Sequence, residues 1–216
     1  MTFQLHVHVP PHPLIQHWLA VARDRQTPSA LFRTSMTELG RWLTYEAVRD
    51  WLPTFQTTIE TPLAPCAATL VNPEIPVAVV PILRAGLALL EGSQALLPLA
   101  KVYHLGLARN EETLEASCYL NKLPPEFAPE TRILIPEPML ATGGSITLTL
   151  QELTQRGINP AFVRIVSVVA ASPALQKLNE EYPALKVYTA CIDPELNQQG
   201  FIVPGLGDAG DRTFGT

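Results

Sequence analysis

Residues that could bind a phosphate follow an apolar run in the second half of the chain. Residues 136–145, PEPMLATGGS, leave that run through an acid between two prolines and enter an amphipathic run through TGGS. Glycines let the backbone approach a ligand, and consecutive N–H groups at a helix start can surround a phosphate. Thr142 and Ser145 add hydroxyl donors, and Glu137 could accept hydrogen bonds from sugar hydroxyls. Taken by itself, TGGS is explained equally well by an ordinary strand-to-helix turn with Ser145 as its cap.

A second glycine-rich segment lies close to Thr216. Residues 205–210, GLGDAG, match the pattern G-x-G-x-x-G of dinucleotide-binding loops. Such a loop needs a strand before it, a helix after it and an acid about 20 residues further on. Because the chain reaches Thr216 so soon, we expect no helix to follow and reject a dinucleotide site. The glycines would instead bring main-chain groups close to a flat ligand, although a loop covering a sheet edge would have the same pattern.

Two arginines occupy positions from which they could clamp a phosphorylated ligand. Arg84 interrupts an apolar strand-to-helix junction, ILRAG, and Arg109 stands at the root of the polar segment RNEETLE. Arginine stays charged and binds phosphate through two parallel donors. A single arginine is more often a surface ion-pair residue, so Arg84 is singled out by its apolar surroundings and Arg109 by its neighbouring sequence. We interpret Glu111, Glu112 and Glu115 as a solvated face.

Composition excludes several classes of protein. The chain has 216 residues, of which 47% are hydrophobic and 16% charged, as is typical of a folded globular domain. The net charge of -5 argues against a protein that coats nucleic acid. We find neither an apolar stretch long enough for a membrane span nor a secretory signal at the start. Cys66, Cys118 and Cys191 are widely spaced, which favours reduced thiols and a cytoplasmic protein.

The positioning elements begin with an N-terminal helical addition over residues 1–60. Apolar residues at helical spacing predict a short helix over 14–24. They predict a longer one that opens at Thr27 as a cap, continues through a first-turn proline and ends near Asp50. Residues 54–60 are expected to be extended. With the core that follows, this addition forms one domain over residues 1–216.

Strands and helices alternate across residues 76–216, the predicted core. Apolar runs rich in β-branched residues predict strands in PVAVVPILRAG, KVYHLGLAR, TRILIPEP, FVRIVSVVAA and LKVYTACID. Helices are predicted in LALLEGSQALL, SITLTLQELTQRG and ALQKLNEEYP, while NEETLEASCYLNKLPP is interpreted as a hairpin or flap. This alternation predicts an α/β fold with a mostly parallel, doubly wound sheet. Ligands of such sheets bind at the carboxyl ends of the strands, where TGGS lies.

Histidines offer a weaker candidate site. His6, His8 and His12 cluster, and His6 and His8 could share one side of a strand. Two such ligands without a carboxylate or cysteine nearby make a poor metal site. We therefore expect these histidines to be structural.

Taken together, the motifs resemble those of the uracil phosphoribosyltransferase family, within the type I phosphoribosyltransferases. LIPEPMLATGGS resembles the family's phosphoribosyl-diphosphate signature. VVPILRAGLALLEG, ARNEETLE and YTACIDPELNQQGFIVPGLGDAGDRTFGT resemble its other motifs, as do HPLIQHWLAVARD and LTYEAVRD near the start. The motifs come in the family's order and run nearly from end to end.

The resemblance implies an activity and a set of site residues. Uracil N1 would attack C1 of phosphoribosyl diphosphate, releasing pyrophosphate and forming uridine monophosphate in pyrimidine salvage. The residues implied to bind phosphoribosyl diphosphate are Arg84, Arg109, Glu137, Pro138, Met139, Leu140, Ala141, Thr142, Gly143, Gly144, Ser145 and Asp208. Those implied to bind uracil are Ile202, Gly207, Asp208 and Ala209. Catalytic roles would fall to Arg84, Arg109 and Asp208.

The resemblance also implies a cofactor and an assembly. Magnesium, Mg²⁺, would be carried mainly by the diphosphate, with Asp208 as a candidate protein ligand. The partners would be small molecules, with no nucleic acid and no membrane, and the chain would form a homodimer or a larger homo-oligomer. Activation by GTP, a property of some relatives, is compatible with the resemblance.

Two positions depart from the family's pattern. Glu137 stands where the family usually has aspartate, and Pro136 stands where it usually has an aliphatic residue. Glutamate can still accept hydrogen bonds from ribose hydroxyls, but its carboxylate lies one methylene further out. Pro136 removes a strand N–H, which is tolerable where that position does not pair. These departures leave open a non-catalytic protein that senses a pyrimidine nucleotide or phosphoribosyl diphosphate; transfer to another base is disfavoured by the glycine-rich tail.

Overall fold

The computed structural model describes residues 4–109 and 116–216, apart from the side chain of Arg109. Its α-helices are α1 (Pro13–Arg23), α2 (Ser29–Val48), α3 (Leu87–Leu96), α4 (Gly144–Thr154), α5 (Ser172–Glu181) and α6 (Ala209–Phe214). Its strands in the first half are β1 (His6–His8), β2 (Thr54–Glu60), β3 (Pro65–Val71), β4 (Val77–Val79), β5 (Ile82–Leu83), β6 (Lys101–Val102) and β7 (Leu105–Arg109). The remaining strands are β8 (Ala116–Asn121), β9 (Arg132–Pro136), β10 (Met139–Leu140), β11 (Val163–Ala171), β12 (Lys186–Asp193), β13 (Glu195–Leu196) and β14 (Ile202–Val203).

A parallel sheet organises the fold. Within the described ranges, seven strands form it in the order β1-β12-β11-β9-β4-β6, with β10 pairing with β11 beside this path. The pairings are parallel, and Ile165 of β11 lies opposite Ile135 on one side and Val187 on the other. The predicted mostly parallel sheet is therefore confirmed.

Helices cover both faces of this sheet. On one face α1, α2 and α3 contribute side chains such as Phe32 to the core cluster that contains Leu134. On the other, α4 and α5 contribute side chains such as Leu150 to the cluster that contains Ile133. Ile133 and Leu134 are neighbours in β9 and point to opposite faces, as successive strand residues do. Along β11 all nine residues are buried, as expected of a central parallel strand. In the two described ranges we find no helix with both the length and the apolarity to cross a bilayer.

The N-terminal segment contributes more than helices. Residues His6–His8 form β1 and pair with β12, placing His8 opposite Tyr188. The sheet therefore extends beyond the predicted core range of 76–216. The sequence did not indicate this, because three residues are too few to give a periodic pattern. The rings of His8 and Tyr188 stack with centroids 4.7 Å apart. Among the described residues no three His, Cys, Asp or Glu side chains form a group that could hold a metal.

The start of α2 differs from the predicted cap. The helix begins at Ser29 with Pro28 at the N-cap position, and no side chain caps it. Thr27, the predicted cap, instead donates its hydroxyl to the Val21 carbonyl at 2.7 Å. The proline explains why the helix still starts there, since its φ is already set near the helical value.

Two predicted strands are each divided. PVAVVPILRAG forms β4 and β5, and KVYHLGLAR forms β6 and β7. In both, the first piece belongs to the parallel sheet while the second belongs to a small sheet in the order β5-β7-β8. Pro81 lies at the first break, where it has no N–H for a ladder bond. The pairing of β7 with β8 is antiparallel, as a hairpin flap requires, and residues 110–115 lie outside the described residues.

Close packing of α2 against α3 depends on glycine. A Cβ added at Gly92 would lie 2.0 Å from the Thr37 carbonyl oxygen and 2.6 Å from the Arg41 amide nitrogen. Both clashes are with backbone, so a side chain could be accommodated only by separating the helices. The packing of the N-terminal helices on the core thus depends on this contact.

We expect Gly92→Ala to lower the free energy of unfolding by about 1–3 kcal/mol, as overpacking does in a close-packed core. Chemical denaturation measures the change. Gln94→Ala, at an exposed position of the same helix, is the control and should be nearly neutral. Equal stability of the two variants would contradict the predicted clash.

Candidate active site

The turn into α4 forms the first wall of the site. Gly143 occupies the N-cap position with φ of 83°, a left-handed conformation that favours glycine, and no side chain caps the helix. The alternative in which Ser145 caps the helix is therefore wrong, because α4 has already begun at Gly144. The first N–H groups of a helix have no partner within it. Residues 144–146 thus present amides and the positive end of the helix dipole to an anion.

Glu137 lies between β9 and β10, ahead of this turn, and is buried. Its main-chain N–H donates to the Val166 carbonyl at 2.9 Å, so the chain stays tied to β11 beyond the end of β9. Its carboxyl oxygen Oε2 is buried without a hydrogen-bond partner. Burial raises the pKa of Glu137 to about 8. A buried acceptor of this kind is costly until a ligand donates to it.

Pro136 fits at the end of β9. The Val80 amide donates to the Leu134 carbonyl at 2.8 Å, and β4 has already ended at Val79. Because successive residues of a strand bond to opposite sides, the missing N–H of Pro136 would have pointed toward β4. The proline therefore removes one rung at the point where that ladder finishes. A proline at position 136, where the family usually has an aliphatic residue, is therefore compatible with the fold.

Arg84 extends from the loop between β5 and α3. Its Nη2 lies 3.0 Å from Asp211 Oδ1 of α6, and its guanidinium lies 5.9 Å from the ring centroid of Phe214. The Arg84 side chain is 56% exposed. Exposed ion pairs contribute about 0–1 kcal/mol, so a phosphate could replace Asp211 at little cost. Gly86 lets this loop approach the chain beside Glu137, since a Cβ there would lie 2.5 Å from the Pro136 carbonyl oxygen.

The tail, residues 202–216, contributes Ile202 and Asp208 to the cavity lining and contains a helix. Asp208 is the N-cap of α6, and its Oδ1 accepts a hydrogen bond from the Asp211 amide at 2.9 Å. The expectation that no helix follows GLGDAG is therefore wrong, because the short Asp208 side chain supplies a cap for a six-residue helix. Ile202 is buried in β14. Gly205 and Gly207 both have positive φ, at 59° and 76°.

These walls enclose one cavity of about 760 Å³. The predicted site residues that line it are Arg84, Glu137, Met139, Leu140, Ala141, Thr142, Gly143, Gly144, Ser145, Ile202 and Asp208. Pro138, Gly207 and Ala209 do not line it; the Pro138 carbonyl accepts hydrogen bonds from the Val168 and Val169 amides, and Ala209 is buried. Arg109 is the last residue of β7, and its side chain lies outside the described residues.

The cavity also has a lining that the sequence analysis missed. The additional residues are Ile82, Leu83, Ala85, Leu107, Ile146, Gln198, Gln199, Gly200 and Phe201. The last four form the turn between β13 and β14, where Asn197 Oδ1 accepts hydrogen bonds from the Gln199 and Phe201 amides at 3.0 and 2.9 Å. Asn197 and Gly200, separated by two glutamines, are both residue types that favour turns, and they could have identified this loop.

The cavity lining suits a magnesium ion bound mainly by a ligand. Mg²⁺ prefers oxygen donors and usually takes few from the protein. The cavity offers carboxyl oxygens from Asp208 and Glu137, and the described residues contain no group that could enclose a metal by themselves. An ion carried on diphosphate oxygens, with Asp208 nearby, is consistent with this donor set.

Comparisons with known proteins agree with this geometry. A model of the family described as "Uracil phosphoribosyltransferase" matches residues 9–216. A uracil phosphoribosyltransferase of Nostoc sp. is 73% identical over 216 residues, covering all of both chains. The solved structure of the AQ2163 protein from Aquifex aeolicus superposes with a TM-score of 0.88 at 37% identity, covering 96% of this chain and 97% of that one.

A more distant structure supports the fold. A hypoxanthine phosphoribosyltransferase from Staphylococcus aureus superposes with a TM-score of 0.50 at 13% identity, covering 76% of each chain. The fold is thus that of the type I phosphoribosyltransferases. From the family model and the full-length relatives, we conclude that this chain belongs to the uracil phosphoribosyltransferase family.

Proposed function

We propose that the protein transfers the phosphoribosyl group of phosphoribosyl diphosphate to uracil, forming uridine monophosphate and pyrophosphate in pyrimidine salvage. The observation that carries this proposal is that residues 142–145 and the tail line one cavity in a chain of this family. Uracil N1 forms a bond to C1 of the ribose while the bond from C1 to the diphosphate breaks, and the N1 proton is lost. Both reactants must therefore lie side by side, as one shared cavity allows.

The phosphoribosyl end of the donor would occupy the wall formed by β9 and α4. Amides of residues 144–146 would bind the 5′-phosphate, aided by the hydroxyls of Thr142 and Ser145. The Glu137 carboxylate would accept hydrogen bonds from the ribose hydroxyls, which would satisfy its unpartnered Oε2. The main chain over residues 138–141 would support this contact.

The diphosphate would lie toward Arg84 and Arg109. Negative charge grows on the leaving pyrophosphate, so fixed cations there stabilise the transition state more than the ground state. Support comes from the position of Arg84, which lines the same cavity as residues 143–146. A magnesium ion would neutralise diphosphate charge, with Asp208 available as a ligand.

Uracil would be recognised mainly by backbone atoms of the tail, at Ile202, Gly207, Asp208 and Ala209. Its N3 donor lies between two carbonyl acceptors, which fixed main-chain groups can match. Cytosine would leave some of these groups unpaired, and such mispairing can discriminate by orders of magnitude. Ile202 and Asp208 reach the cavity directly. Gly207 and Ala209 would act by shaping the main chain beside them.

The test is to mix purified protein with uracil, phosphoribosyl diphosphate and Mg²⁺ and to measure uridine monophosphate. We expect turnover with uracil and little with cytosine or hypoxanthine. Ligand binding without turnover would contradict the enzyme and favour the sensor on the same fold.

We further propose that the chain forms a homodimer or a larger homo-oligomer, and the β2–β3 hairpin supports this. Phe55 lies opposite Leu70 and Ile59 opposite Cys66, so apolar side chains gather on one face of the hairpin. Phe55, Ile59 and Leu70 are each 39–45% exposed. A two-stranded hairpin is marginal by itself in water. A second copy of the chain would cover this face.

Ile59→Lys should weaken that association by at least roughly tenfold, because it would bury an unpaired charge in the interface. Light scattering after size exclusion, over a range of concentrations, measures the shift toward monomer. Gln56→Lys is the matched control, since Gln56 pairs with Thr69 on the opposite face. Equal behaviour of both variants would argue against the hairpin as the interface.

A further inference from the structure

An arginine of the N-terminal helix contacts the tail. Arg23, the last residue of α1, donates from Nη1 and Nη2 to the two carboxylate oxygens of Asp193, at 3.0 and 2.7 Å. Its Nη1 also donates to the Gly205 carbonyl at 2.9 Å. Asp193 ends β12, so this contact lies at the carboxyl edge of the sheet. A two-pronged arginine contact of this kind fixes geometry as well as charge.

Asp193 also binds the main chain of Gly205, at the amide. Its Oδ2 accepts a hydrogen bond from the Gly205 amide at 2.9 Å. Burial opposes ionisation of Asp193, but hydrogen bonds from Arg23 and from the Gly205 amide hold its pKa below the ordinary value. The pair is therefore ionised at neutral pH. Both main-chain polar groups of Gly205 are bound by Arg23 and Asp193.

Gly205 in turn fixes the main chain at Ile202. A Cβ added at Gly205 would lie 2.1 Å from the Ile202 carbonyl oxygen, and φ at Gly205 is 59°. Glycine thus packs directly onto that carbonyl. Because Ile202 lines the cavity, a shift of Gly205 would be passed to the cavity wall within three residues.

A second arginine also links the end of α1 to the tail, but here the donor lies on the tail and the acceptors lie at the end of α1. Arg212 of α6 donates to the Leu206 carbonyl at 2.7 Å and to the Asp24 carbonyl at 2.6 Å, and it also bonds the Ala22 carbonyl. Its guanidinium lies 4.2 Å from the centre of the Phe32 ring. The end of α1 and residues 202–212 therefore form one hydrogen-bonded unit.

We propose that Arg23 and Asp193 are positioning residues for the base-binding segment, residues 202–209, so that the N-terminal helix sets the geometry with which uracil is recognised. This inference rests on the proposed function. Groups that orient a site must hold it to within a fraction of an ångström, and supporting hydrogen bonds provide that precision. Because Arg23 and Asp193 act on Gly205, their loss should affect the base and spare the phosphoribosyl end.

The experiment compares Arg23→Lys with the wild-type protein. Lysine keeps the charge but cannot bind both Asp193 oxygens and the Gly205 carbonyl in one plane. We expect KM for uracil to rise on the order of tenfold, while KM for phosphoribosyl diphosphate stays within about twofold. Discrimination between uracil and cytosine should also fall. Equal changes in both KM values, or an unchanged KM for uracil, would overturn the proposal.

A matched control and a second variant separate positioning from general stability. Arg156→Lys alters an ion pair of similar exposure, since the Arg156 side chain is 22% exposed beside Glu152 and that of Arg23 is 24% exposed beside Asp193. The control should leave both KM values unchanged. Asp193→Asn should repeat the selective rise in KM for uracil and serves if Arg23→Lys does not fold.

A readout that needs no turnover distinguishes this proposal from the proposed function. Hydrogen exchange of backbone amides over residues 202–207 should be faster in Arg23→Lys, while amides over residues 143–147 should keep their wild-type rates. Absence of uridine monophosphate with wild-type protein would refute the proposed reaction. Unchanged exchange over residues 202–207 would refute the role of Arg23 whether or not the reaction occurs.

Discussion

Arg84→Ala is expected to lower kcat/KM for phosphoribosyl diphosphate on the order of 10²–10³-fold, the usual cost of removing one fixed donor from a developing anion. Arg84 lines the cavity. Among the described residues, its one ion pair is with the half-exposed Asp211. Loss of so exposed a pair should leave the melting temperature nearly unchanged. Steady-state kinetics and thermal melting measured on the same sample test both parts.

Arg49→Ala provides the matched control for Arg84. Arg49 is also exposed and paired with an acid, Glu46, at 2.7 Å, but it lies beside the end of α2 and does not line the cavity. It should reduce neither activity nor stability appreciably. If both variants lost activity to the same degree, Arg84 would have no special role at the diphosphate.

Glu137 should make the protein less stable as pH rises from about 4.5 to 8. The native carboxyl has a pKa of about 8 because it is buried, against an ordinary value of 4.5 in the unfolded chain. Between these values the native state holds a proton that the unfolded state has lost. The stability present below pH 4.5 is therefore lost as pH rises, by up to about 5 kcal/mol.

Glu137→Gln isolates this contribution, because the amide keeps nearly the same shape and does not titrate. The free energy of unfolding, measured by denaturation at several pH values from 5 to 8, should fall more steeply with pH for the wild type than for the variant. Activity should move in the opposite direction, since the ionised carboxylate is the better acceptor for ribose hydroxyls. In the wild type kcat/KM for phosphoribosyl diphosphate should rise toward pH 8, and that rise should be absent in the variant. Parallel pH profiles would exclude Glu137 as the titrating group.

Secondary structure was predictable wherever a periodic pattern was long enough. The helices at Pro13–Arg23 and Gly144–Thr154 were expected from the sequence pattern, and the strand at Val163–Ala171 from its apolar, β-branched run. The predictions failed where a short contact decides the outcome. Capping by Asp208 allows a helix that the pattern excluded, and pairing with β12 places His6–His8 in the sheet of the core, outside the predicted core range.

The site was predictable as far as its motifs are continuous in sequence. Residues 142–145 and Asp208 were identified by glycine spacing and by resemblance, and the sheet brings them to one cavity. The contact between Arg23 and Asp193 could not be inferred in the same way, because the partners are 170 positions apart. Local periodicity contains no information on such pairs. Burial of Glu137 was also invisible, since it depends on the strands and helices around it.

The pairing of β1 with β12 bears on how the chain acquires its structure during synthesis. His6 is made long before Lys186, its partner in the sheet, which lies 180 positions later. The docking of α1 onto Gly205 and Arg212 must likewise wait until those residues have been made. Loop closure over such separations is slow relative to local helix formation. The N-terminal helices therefore lack these contacts, and the cavity stays incomplete, until residues 186–212 have been made.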